Sequence, residues 1–123
     1  MFEPGLYAVG DLCYILRDEW AEVCELTIQG NTCLDGEFTL KDGRKFAVLR
    51  TAYGDGEYRD QYGRNYPVDS GSIGLIQVEQ EDESVFGMNF IQFDAPFEVS
   101  SEGGVIKVGI VEIDTDPWDE EVA

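Results

Sequence analysis

The chain of 123 residues sets 26 Asp and Glu against 8 Lys and Arg, a formal net charge of −18, and contains no histidine. That balance argues against direct contact with nucleic acid, whose phosphates are held by Lys and Arg, and against anionic membrane surfaces for the same reason. Without histidine, Ser-His and Cys-His nucleophile arrangements are excluded, so no enzyme, no catalytic residue and no cofactor is expected. A hydrophobic content of 43% is enough for one core, and the length fits one domain.

Leu6 to Val9 and Leu12 to Leu16 read as strands, apolar and aromatic, separated by Gly10-Asp11. A helix follows, capped by Asp18 and stopped by Gly30-Asn31. Leu16, Trp20, Val23, Cys24, Thr27 and Ile28 recur along it at three- and four-residue steps and form one buried stripe. At about ten residues it is too short to hold alone and must lean on a sheet.

From Gly36 the period changes to two. Phe38 and Leu40, then Phe46 and Val48, alternate with polar neighbours about Asp42-Gly43. A loop of odd length puts all four on one face, with Phe38 opposite Val48 and Leu40 opposite Phe46. The expected loop has three or five residues, with Gly43 at positive φ. Ala52 to Gly74 is punctuated by glycines and tyrosines, as in a series of tight turns.

Ile73 to Val78 reads as a buried strand. Val85 to Phe93 reads as a long one in which Met88, Phe90 and Phe86 share a face. Phe97 to Val99 and Val105 to Ile113 read as a last hairpin about Ser101 to Gly104, the final strand being apolar on both faces and therefore central. The fold expected is mainly β (α+β), an antiparallel barrel or sandwich with one short helix packed against it. A single domain spans 1–113, and an acidic tail spans 114–123.

Cys13, Cys24 and Cys33 are odd in number and lack CxxC spacing, so they read as small buried side chains. No apolar run approaches a membrane span, and the first residues lack the basic start of a signal peptide. A cytoplasmic chain is expected.

The charge is uneven. Residues 76–123 carry 13 acids and only Lys107, a net of −12, whereas residues 31–75 carry 7 acids and 6 bases. Glu79, Glu81, Asp82 and Glu83 form the densest internal run, Asp94 and Glu98 follow, and Asp114, Asp116, Asp119, Glu120 and Glu121 close the chain. These are the candidate partner-binding residues. An alternative is a divalent-cation site at Asp55, Glu57 and Asp60, although their spacing is not that of an EF-hand loop and Asp-Gly pairs also make plain turns. A further alternative is a structural or scaffold module with a generic acidic surface, of the kind salt adaptation produces.

Gly5-Leu6-Tyr7-Ala8-Val9-Gly10-Asp11, with Tyr53-Gly54-Asp55-Gly56-Glu57-Tyr58 and Val68-Asp69-Ser70-Gly71-Ser72-Ile73-Gly74, resembles small acidic phage and bacterial proteins. That resemblance implies no activity. Glu83-Ser84-Val85 is similar to the Glu-Ser-Ile segment of the phage uracil-DNA glycosylase inhibitor family, where the segment helps to mimic DNA. With the acidity, the expectation is a DNA-mimic-like inhibitor, of phage and anti-defence type, that binds the basic groove of a nucleic-acid-handling or host-defence protein. The expected partner is therefore a basic protein, with no nucleic acid and no membrane contacted directly.

Overall fold

The computed structural model describes residues 2–29, 32–33, 35–52, 54–82 and 84–115. In chain order the first elements are β1 (Gly5–Gly10), a 3-10 turn (Leu12–Tyr14), α1 (Trp20–Thr27), β2 (Ile28–Gln29), β3 (Thr32–Cys33), β4 (Gly36–Thr39) and β5 (Lys45–Arg50). β6 (Gly56–Asp60), β7 (Asn65–Val68), β8 (Ser72–Gln77), β9 (Met88–Phe93), β10 (Val99–Glu102), β11 (Val105–Val108) and β12 (Val111–Asp114) follow. Two five-stranded antiparallel sheets result, ordered β4-β5-β8-β1-β9 and β10-β11-β12-β6-β7, beside the small pair β2-β3. This is a β-rich sandwich with one helix and no closed barrel. No helix among the described residues is long and apolar enough to cross a membrane.

Side chains alternate across a strand, and the first sheet uses both of its faces. Tyr7 and Val9 of β1, Ala47 and Leu49 of β5, and Ile73 and Leu75 of β8 face the second sheet, where they meet Tyr58, Tyr66, Ile106, Val108, Val111 and Ile113. The intervening Ala8, Phe46, Val48 and Ile76 face the other way, onto Leu12, Leu16 and Val23. The helix thus covers the outer face of the first sheet, and β5 and β8 read as near-continuous apolar runs because both sides are buried. The second sheet turns its outer face to water, and β12 shows the simple alternation of buried and exposed residues.

The β4–β5 hairpin puts Phe38, Leu40, Phe46 and Val48 in one cluster, as the period-two reading requires. Its loop has three residues, Lys41 to Gly43, and Gly43 has φ +96°. Opposite partners differ from expectation: Phe38 faces Phe46, and Leu40 closes the hairpin against Arg44.

Four sequence readings are corrected. Leu12 to Leu16 is not a strand, because Asp11 caps a 3-10 turn there by accepting the Cys13 N–H. α1 begins at Trp20, after a Glu19 whose side chain makes no capping bond, and ends at Thr27, so that Ile28 lies in β2 and is exposed instead of joining the buried stripe. Val105 to Ile113 is not one strand. Gly109, at φ +59°, and Ile110 form a two-residue turn that folds β12 back on β11, so that Ile106 meets Ile113 and Val108 meets Val111. The Val85 to Phe93 strand starts only at Met88, leaving Phe86 in the preceding turn, 69% exposed. At the C-terminal side Asp114 ends β12, and Thr115 is buried, its hydroxyl donating to Gly104.

Candidate interaction surface

The middle of the chain neutralises itself. Arg44 lies 2.7 Å from Asp42 and 3.7 Å from Glu19, Lys45 lies 2.6 Å from Glu37, Arg50 lies 3.3 Å from Asp35, and Arg64 lies 2.9 Å from Asp60. All of these acids fall within residues 19–60. The hairpin register and the β6–β7 turn produce this result by folding Arg44, Lys45, Arg50 and Arg64 back onto these acids.

The later acids are treated differently. Tyr7 of β1 stands opposite Gln77 of β8, and Gly5 stands opposite Phe93 of β9. Glu79 and Asp94 therefore leave the first sheet at the same end at which Glu3 enters it. A bridge between Phe2 and Phe97 carries Glu98 to that end too. Glu79, Glu81, Asp82, Asp94 and Glu98 are all exposed, and none joins the ion pairs above. Arg44 and Lys45 flank this end across a cavity lined by Glu3, Gln77 and Glu79.

Asp82 has a second task. Its carboxylate accepts the Ser84 N–H at 3.0 Å and the Ser84 hydroxyl, and its carbonyl accepts the Val85 N–H. The Ser84 hydrogen bonds hold this carboxyl below the usual aspartate value.

Asp114 is not gathered with the others. It stands between Val105 and Arg59 in the second sheet, level with Glu102 and so at the far end of β10 from Glu98. The adjoining row opposes Lys107 to Glu112, so this outer face carries mixed signs. Glu83, Asp116, Asp119, Glu120 and Glu121 lie outside the described residues.

The alternative cation set is not assembled. Glu57 and Asp60 point to opposite faces of β6, the first exposed and the second buried. The Asp60 carboxylate is filled by the Tyr62 and Arg64 N–H groups, the Arg64 guanidinium and the Tyr66 hydroxyl. Among the described residues no group of three or more Cys, Asp and Glu stands where it could hold a metal ion.

Comparison with family models, curated proteins and solved structures finds no match. The site therefore has to be read from its own chemistry.

Sequence reasoning missed a cleft of about 810 Å³ lined by Tyr14, Asp18, Asp69, Val85 and Phe86, among others. Phe86 meets the Tyr14 ring edge-on at 5.2 Å. The Tyr14 hydroxyl is pushed up to about 12 by burial first and by the nearby Asp69 carboxylate next. The only signal in the sequence is a Phe-Gly pair directly after the densest acidic run. The glycine is required: Gly87 has φ +79°, and a Cβ there would lie 2.7 Å from the Tyr14 ring.

Proposed function

We propose that this protein is an acidic binding module that engages a basic, nucleic-acid-handling protein, its carboxylates standing where phosphates otherwise would. One observation carries the reading. The ion pairs of Arg44, Lys45, Arg50 and Arg64 use acids of residues 19–60, while the exposed carboxylates of Glu79, Glu81, Asp94 and Glu98 take no part in them. Exposed charges left out of these pairs, with Glu79, Asp94 and Glu98 at one end of a sheet, form a directed field that steers association with a basic groove.

The test is displacement. A fluorescent DNA duplex bound to each of a panel of basic DNA-binding proteins is titrated with this chain at about 50 mM salt and again at several-fold higher salt. The expected result is release from one or more of the proteins at low salt, fading as salt rises. Changing Glu79, Glu81, Asp94 and Glu98 together to Lys should abolish release without altering the far-ultraviolet circular dichroism. Asp82 is spared because it closes its own turn. No release from any member of the panel at low salt ends the proposal, and undiminished release by the quadruple variant removes this end from the interface.

A further inference from the structure

Phe86 is 69% exposed, yet it is held in place. Asp82 closes the preceding turn through Ser84 and Val85, and Gly87 lets the chain pass directly against the Tyr14 ring and Pro67. A large apolar ring fixed in water gives up solvation energy without core packing in return, while a preset geometry lowers the entropy cost of binding. Aromatic rings in such positions are enriched at protein interfaces.

The polar lining selects the occupant. Among the described lining residues Asp18, Glu19 and Asp69 stand with one base, Arg17, and Glu19 already pairs with Arg44 outside the lining, so the remaining acids favour a cation over an anion. An aromatic wall beside carboxylates suits a flat cation, which can stack on a ring and still direct its N–H groups sideways. Asp69 is exposed and lines the cleft, and an ionised carboxylate offers about four lone-pair positions.

We propose that this cleft receives an arginine side chain of the basic partner, its guanidinium stacked on Phe86 beside Tyr14 and hydrogen-bonded to Asp69. The assignment rests on the acidic-module reading above and supplies the anchor that charge alone lacks. Lysine fits less well, because its ammonium is a compact, strongly hydrated point charge with no face to stack.

Nona-arginine and nona-lysine peptides serve as probes, titrated at low salt by calorimetry and by amide chemical shifts of the labelled protein. The arginine peptide should bind about fivefold tighter, with the largest shifts at Tyr14, Asp69 and residues 84–87. Phe86→Ala and Phe86→Leu should both bring its affinity down to that of the lysine peptide, leaving salt-sensitive binding by the acids. Equal affinity of the two peptides, or an arginine preference that survives Phe86→Ala, overturns the cleft assignment and leaves the acidic surface standing. If neither peptide binds, the acidic-module reading fails along with it.

Discussion

Asp11 and Ser70 are joined twice: the Ser70 backbone N–H donates to one carboxylate oxygen at 2.6 Å, and its hydroxyl donates to the other at 2.7 Å. The Asp69 and Cys13 N–H groups complete the set, and the Asp11 residue is wholly buried. One side chain therefore ties the end of β1 to the loop between β7 and β8, 59 residues away. Charged hydrogen bonds are among the strong ones, and their loss strands buried donors. Asp11→Ala should cost about 3–5 kcal/mol, measured by urea unfolding, while Ser70→Ala should cost about 1 kcal/mol. A loss under 1 kcal/mol for Asp11→Ala would show that the tie is not structural.

The same carboxylate silences a thiol. Burial, then the hydrogen bond and charge of Asp11, then the charge of Asp69, push Cys13 up from 9.0 to about 12. Because the thiolate is the reactive species, its fraction at pH 8 falls roughly a thousandfold. In a variant keeping only this cysteine, Cys13 should react with maleimide far more slowly folded than in urea. Asp11→Asn should recover part of the rate. Equal folded and unfolded rates at pH 8 would contradict the cause given.

What the sequence disclosed follows a physical division. The inner face of the β4–β5 hairpin was legible because a strand has period two, and any odd loop keeps Phe38, Leu40, Phe46 and Val48 together. Parity does not notice a slip of two residues, which is why Phe38 meets Phe46 and not Val48. The Gly109-Ile110 turn was hidden by its flanks, since Val105 to Ile113 is apolar on both sides of it. Leu12 to Leu16 looked like a strand until Asp11 bound residues 69 and 70, a contact that no local pattern announces. The acids of the candidate site were plain from composition. Which of them the bases would neutralise was not, because pairs such as Arg50 with Asp35 depend on strands brought together by the fold.

Asp60 and Tyr66 set the two ends of the stability profile against pH. Burial raises the Asp60 pKa, but hydrogen bonds from Arg64, Tyr66 and two backbone N–H groups outweigh it and hold the value below 3.8. Such a group adds stability above its unfolded value and loses it as pH falls through the folded one. Tyr66 is displaced the other way, by burial first and Asp60 second, above 10.0. Its contribution is complete below pH 10 and is lost as pH rises beyond it. Melting temperature should therefore fall below about pH 4 and above about pH 10. Asp60→Asn should flatten part of the acid limb and Tyr66→Phe part of the alkaline one, which Cys13 and Tyr14 share; unchanged limbs would refute the assignment.

Two phenylalanines separate packing from presentation. Phe97 stacks on Phe93 at 4.0 Å and on Phe2 at 5.6 Å, and meets the Tyr7 edge at 5.0 Å. Phe97→Ala removes that buried volume and should cost about 3–5 kcal/mol. Phe86→Ala, at an exposed position, should stay within about 0.5 kcal/mol of the parent. A large loss at Phe86 would make it a packing residue and take away its availability to a partner.

Charge at the strand ends should cost the free protein stability. Like charges repel in the compact state, and Arg44 and Lys45, the bases that flank this end, are paired with Asp42, Glu19 and Glu37. The Debye length shrinks from about 30 Å at 0.01 M to about 3 Å at 1 M salt, so the melting temperature should rise with sodium chloride. At low salt, changing those four acids to Lys should raise it as well and flatten the salt dependence. Calorimetry at 0.01 M and 0.5 M salt checks both. Stability gained together with binding lost is the signature of charges held for a partner. A variant that melts like the parent at both salts would mean that these carboxylates lie too far apart to act as one field, and the strand-end surface would lose its electrostatic basis.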